Sequence, residues 1–265
     1  MKDNNHSLPK EYLENKVFDI LDDIIGFYDD LSFNAFGFLS KGVQGVAFID
    51  TYFYSSIQGT LDSINLILKQ GRINDSFALL RKYYDSCIIN IYIILYSDEN
   101  CSSEHLIVEE INNWVKGRSQ LPSFGIMRDY IKNSQELKDF SKLLNKDNIY
   151  KIIKDRCNDH VHYNYYQYAL LNDNNIHQER MKPLNDFTHD LERIFVLHLS
   201  YIFNLCNHYI MSSNYRDCMD CGIKPPEGCE YWVAPFVQEI FDKYVKRVRP
   251  DIAEYIKKHT EMELE

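Results

Sequence analysis

Residues 72–97 read RINDSFALLRKYYDSCIINIYIILYS, and the spacing of their apolar side chains decides the fold class. Phe77, Leu80, Tyr84, Ile88, Ile91 and Leu95 recur at steps of three and four, the period of an α-helix with a buried face. From Ile88 onward the run is apolar nearly all round, which puts this helix at the centre of a core. Asn74 or Asp75 is expected to cap its start. Gly71 reads as the C-cap of a preceding helix over about 46–69, so the two helices form an antiparallel hairpin.

The same period extends outward from that hairpin. Val17, Ile20, Leu21, Ile24, Phe27, Tyr28 and Leu31 make one apolar stripe within residues 10–31. Shorter helices are expected at about 103–116, 124–133, 134–144 and 146–157, with Ser123, Ser134 and Asp147 in their cap regions. Helical pattern continues through Tyr168, and a polar turn follows at 172–175. A long helix then covers about 179–212, interrupted or bent near Pro183. From 213 the chain turns loop-like (NYRDCMDCGIKPPEGCEYW), and helices near 233–247 and 250–260 finish it. The expected architecture is all-α: a multi-helix bundle over 1–212 with a central long-helix hairpin. A Cys-containing loop-and-helix extension over 213–265 packs on it.

Composition supports this and limits the function. The chain has 265 residues, 45% of them hydrophobic, but only 10 Gly and 7 Pro, which favours long helices over a turn-rich β architecture. A net charge of −10 repels a phosphate backbone. That excludes a general DNA-coating protein and leaves room for a local site on one RNA stem or loop. Without a Gly-rich phosphate loop or alternating strands, nucleotide-binding α/β enzymes are excluded. The polar start lacks an apolar signal region. The apolar run at 87–96 is too short to span a bilayer, and that at 194–211 carries His198, Asn204, Asn207 and His208, so no membrane span is expected. Seven dispersed cysteines read as reduced thiols, and the expected location is the cytoplasm.

Chemistry concentrates in Arg156-Cys-Asn-Asp-His-Val-His162, followed by Tyr163, Asn164, Tyr165, Tyr166 and Tyr168. A histidine exchanges protons near neutral pH, and an arginine holds phosphate or developing negative charge. These are the parts for metal-independent phosphodiester cleavage, in which an RNA 2′-hydroxyl attacks the adjacent phosphate. On a straight helix Arg156 and His160 share a face, whereas Arg156 and His162 lie about 120° apart. The latter pair therefore needs a bend or a second chain to meet. The bland alternative is a solvated helix face carrying Asp155, Arg156 and Asp159, with both histidines satisfied by ordinary hydrogen bonds.

An Arg and a His separated by five residues, with Asn158 or Asp159 as the intervening polar group, resembles the R-x(4–6)-H motif of the HEPN superfamily. The departure is Cys157, where that family often has Asn, Asp or His directly after the Arg. The resemblance implies a helical bundle that dimerises to pair two motifs. Its catalytic members are endoribonucleases without a metal or cofactor, often toxins or anti-phage effectors, and others bind only nucleotides or protein partners. It casts His162 as proton carrier, Arg156 as phosphate clamp, Asn158 or Asp159 as positioning group and His160 as the spare proton carrier. Its implied partners are an RNA substrate, a second copy of the chain and an antitoxin or defence-complex protein. The alternative is a non-catalytic helical interaction module.

Three other features carry weaker signals. Cys218, Cys221 and Cys229 resemble half of a zinc knuckle, but without a second Cys pair the expected state is free thiols in a loop packed under Tyr231 and Trp232, and no metal is assigned. His198 and His208 read as satisfied core histidines. Arg81 and Asp85 read as a helical salt bridge that can reach the histidine cluster if the two helices touch. The run Lys243–Arg249 (KYVKRVR) is the clear positive stretch, a solvated helix end or an RNA-contacting strip.

Overall fold

Gly71 closes the predicted hairpin with a left-handed backbone, φ 77°. Its amide bonds Leu68 and that of Arg72 bonds Ile67, at 2.8 and 3.1 Å, which satisfies carbonyls left open at the helix end. The computed structural model describes residues 8–37, 49–101, 108–173 and 179–265. The expected helix start at 46–48, residues 103–107 and part of the turn at 172–175 lie outside those residues.

The chain begins with a single turn α1 (Lys10–Leu13) and then α2 (Val17–Gly37), α3 (Ile49–Lys69) and α4 (Ile73–Asn100). Shorter helices follow: α5 (Glu109–Val115), α6 (Phe124–Asn133), α7 (Lys138–Leu144), α8 (Ile149–Val161) and α9 (Tyr166–Leu170). Next come α10 (Met181–Leu205), α11 (Asn207–Ile210) and α12 (Asn214–Asp220). The C-terminal part holds α13 (Pro235–Ile240), a π-helical stretch over Phe241–Val245, α14 (Lys246–Val248) and α15 (Pro250–His259). The structure is an all-α bundle, and among the described residues no strand forms. No helix there is long and apolar enough to cross a membrane.

α4 is the central element, packed against α3, α6, α8 and α10. Its polar residues are used in tertiary contacts. Asn90 Oδ1 accepts from His198 Nε2 at 2.9 Å, and Asn90 Nδ2 donates to Asp50 at 2.8 Å. Tyr28 and Tyr83 extend this buried chain from the other ring nitrogen of His198. Burial pushes the His198 pKa down to about 3 and that of Asp50 up to about 6. His198 is thus a satisfied core histidine, whereas His208 sits exposed on α11.

Other expectations shift for local physical reasons. Neither Asn74 nor Asp75 caps α4: Asn74 bonds His160, and Asp75 exchanges two hydrogen bonds with Asn172. Pro183 does not bend α10, because it falls in the first turn, where a missing amide costs no helical bond. That helix stops at Leu205 rather than near 212. The basic run Lys243–Arg249 is neutralised, since Lys243, Lys246, Arg247 and Arg249 pair with Asp23, Asp242, Glu192 and Asp251.

Candidate functional site

α8 carries the predicted motif on its last two turns. Tyr150, Ile153, Cys157 and His160, at steps of three and four, form its buried stripe against α4. Burial holds the Cys157 thiol well above its ordinary pKa, so it is a packing group rather than a nucleophile.

The helix does not run unbroken to Tyr168: α8 ends at Val161, and Tyr168 lies in the separate α9. The Tyr163 amide bonds the His160 carbonyl and the Asn164 amide bonds that of Asp159, at 3.4 and 3.0 Å. This is the same closure Gly71 makes, built here on a tyrosine with φ 48°. A bulky side chain in that left-handed region costs about 1 kcal/mol, and such strain concentrates at functional segments. Asp159 accepts a 2.6 Å hydrogen bond from the Asn164 side chain, so it latches the turn.

His160 and His162 end up in different worlds. The His160 ring is only 2% exposed and lies between Phe77 and Tyr168, with both centroids 3.9 Å away. Asn74 holds its Nδ1 at 2.9 Å. Burial, with Arg156 nearby, lowers its pKa to about 4, which leaves it neutral and shielded from any substrate. The spare-carrier role for His160 does not fit this position. His162, at the C-cap, is exposed, and its backbone stays near-helical with its amide on Asn158 at 3.0 Å.

The two flanks of α8 differ as well. On the α10 side, Arg156 Nη1 lies 3.1 Å from an oxygen of Asp190, a fully buried carboxylate, and 3.8 Å from Asp186. Burial raises the Asp190 pKa, while His189 and Arg156 pull it down. On the α4 side, Arg81 grips both oxygens of Asp85 and donates to Asn158 at 2.9 Å. The Phe124 ring faces both Arg81 and Lys154, at 4.9 and 4.8 Å. Arg156 and His162 therefore do not meet within the chain. The residues sharing a face with His162 are Asn158, Lys154 and Lys151, at steps of four, four and three.

No family model, no curated protein and no solved structure matches this chain. The reading of the site rests on its geometry. Among the described residues no three His, Cys, Asp or Glu side chains converge to hold a metal ion. Cys218 is half-buried, Cys221 exposed and Cys229 buried, all as free thiols. The lysines on the His162 face were missed in the sequence, although their three-four-four spacing was available there. Asp186 and Asp190 carried no local signal, because they meet Arg156 only through packing.

Proposed function

We propose that this chain is a metal-independent endoribonuclease of the HEPN type, with His162 as its proton carrier. The observation that carries this reading is the alignment of Lys151, Lys154, Asn158 and His162 on one helix face, in a chain of net charge −10. An RNA phosphate is drawn to Lys151 and Lys154, while Arg81, held by Asp85, positions Asn158 one turn before His162. The RNA 2′-hydroxyl gives its proton to the base and bonds to phosphorus, while the 5′-oxygen departs and is protonated. The products are a 2′,3′-cyclic phosphate and a 5′-hydroxyl. Exposed Tyr163, Tyr165 and Tyr166 offer flat faces for unpaired bases. In this reading Arg156 seats α8 on α10 through Asp190, and the phosphate clamp passes to the other flank. The homodimer, the antitoxin or defence-complex partner and the toxin or anti-phage role belong to the same proposal.

One observation favours the second reading, a non-catalytic interaction module. His162 makes no side-chain hydrogen bond among the described residues, whereas catalytic bases are usually oriented by a third group. End-labelled RNA incubated with purified protein and a chelator separates the two. The enzyme reading expects cyclic-phosphate ends, and His162→Ala lowers the rate by about a hundredfold or more. If wild type leaves RNA intact, and strong induction of either form permits equal growth, the interaction module stands instead.

A further inference from the structure

At the end of α8 opposite the histidines, a cavity of about 250 Å³ opens between α4, α6, α8 and α10. Arg128 and Lys132 line it from α6, and Lys151 and Lys154 from α8, with no carboxylate in its lining. That local concentration of positive charge stands out against the chain's net charge of −10, which opposes it. Arg128 spends part of its guanidinium on Asp129 at the surface, while Lys132 and Lys151 form no ion pair among the described residues.

Two further features point to an anion. The N-terminal end of α8 borders the cavity at Asn148, whose backbone is left-handed and whose side chain makes no capping bond. The helix dipole there favours negative charge, although most of the first amides are already taken, that of Ile149 by Asp147 at 3.2 Å and those of Lys151 and Ile152 by the Asn148 carbonyl at 3.1 and 3.2 Å. Tyr150 also lines the cavity, only 3% exposed, and its hydroxyl has no hydrogen-bond partner. Outside the lining, the charges of Arg249 and Arg193 act on Tyr150, and the Arg193 Nε is likewise buried without a partner. A buried donor left open is costly unless something occupies the space. The remaining wall has an apolar part, formed by Ile88, Ile131 and Leu197, beside Tyr84, Tyr201 and Asn145.

We propose that this cavity binds a small phosphate monoester, its phosphoryl group among Lys132, Lys151 and Tyr150 and its organic part against the apolar wall. A phosphoryl dianion offers several acceptor oxygens, enough for two ammonium groups and a hydroxyl together. The same group arises as a free metabolite or as the 5′ end of an RNA strand. The site does not depend on His162.

Calorimetric titration at fixed ionic strength tests this, with inorganic phosphate, phenyl phosphate and a short RNA bearing either a 5′-phosphate or a 5′-hydroxyl. Phenyl phosphate should bind saturably and more tightly than inorganic phosphate. Lys132→Ala/Lys151→Ala should weaken it by about tenfold or more, and Tyr150→Phe, which keeps the ring and the packing, by several-fold. His162→Ala should bind like wild type, so failure of the nuclease reading leaves this one intact. Preference for the 5′-phosphorylated RNA, lost in the double variant, identifies the monoester as an RNA end. Equal binding of both RNAs beside tight phenyl phosphate identifies a free metabolite. If phenyl phosphate fails to bind, or binds the double variant as well as wild type, the proposal is overturned.

Discussion

His160 and His162 stand two residues apart, yet one is enclosed by Phe77, Tyr168 and Asn74 while the other faces solvent. The flanks of α8 repeat that contrast. Arg156 is bound to carboxylates of α10, whereas Lys151, Lys154 and His162 form no ion pair among the described residues, Lys154 acting on Asp85 only at a distance. A motif that looks uniform along the sequence is therefore divided by packing into groups that hold the helix and groups that can meet a ligand. The sharpest test exchanges the roles of the two histidines. His162→Ala should remove RNA cleavage by about a hundredfold or more and leave stability within about 0.5 kcal/mol. His160→Ala should cost about 3 kcal/mol in denaturant unfolding, because it empties a stacked, buried site. If His160→Ala is as stable as wild type, the enclosure of that ring counts for nothing.

Acid should separate the same residues. The folded pKa values of His160 and His198, about 4 and about 3, lie below the ordinary histidine value of 6.5, so the folded state binds fewer protons. Their stabilisation is complete above the unfolded pKa and is lost as pH falls. Between pH 7 and pH 5 each loses about 2 kcal/mol. Asp50 opposes them: with its pKa raised to about 6, protonation on acidification relieves a buried charge and returns about 1 kcal/mol. Net stability should fall over that interval, and His160→Gln should flatten the fall by about half of the histidine share. Urea unfolding at both pH values measures this. An unchanged slope in His160→Gln would show that His160 is already charged in the fold.

These outcomes bear on what the sequence could reveal. α4 was legible because Phe77 to Leu95 carry their period locally, and Gly71 marks its own turn. The end of α8 was not legible, because Tyr163 occupies a position where glycine is the usual signal. Asn74 and Asp75 looked like caps because cap chemistry and tertiary hydrogen bonding use the same side chains. Charge misled most. The contiguous run Lys243–Arg249 is cancelled by acids from distant segments, while Arg128, Lys132, Lys151 and Lys154 gather from two helices into one cavity. The Arg156–His162 spacing was readable. Its division between two flanks depended on Asp190 and Arg81, which only the packing of α10 and α4 brings into contact.

Arg156 gives a smaller, more diagnostic effect. Removing it leaves the buried Asp190 carboxylate without its cation, and Arg156→Ala should cost about 2 kcal/mol, moderated because the guanidinium is partly exposed. Asp190→Asn in the same background should recover much of that loss, since the unpaired charge is then gone. A double-mutant cycle in urea reads the coupling. If both single variants are destabilised and the double variant is no better than their sum, the pair is not what seats α8.

The smallest expected effect concerns the turn after His162. Tyr163 holds φ 48°, a conformation that glycine adopts without the steric cost of a Cβ. Tyr163→Gly should therefore stabilise the fold by about 1 kcal/mol, reduced by the extra freedom that glycine gains in the unfolded chain. The same substitution removes an aromatic face beside His162. If the tyrosine is kept for RNA, the variant becomes more stable and a poorer nuclease at once, with a higher KM for single-stranded substrate. Loss of stability would mean that the ring's packing outweighs the backbone strain. A gain in stability with unchanged cleavage would remove Tyr163 from the substrate surface and leave Tyr165 and Tyr166 to provide it.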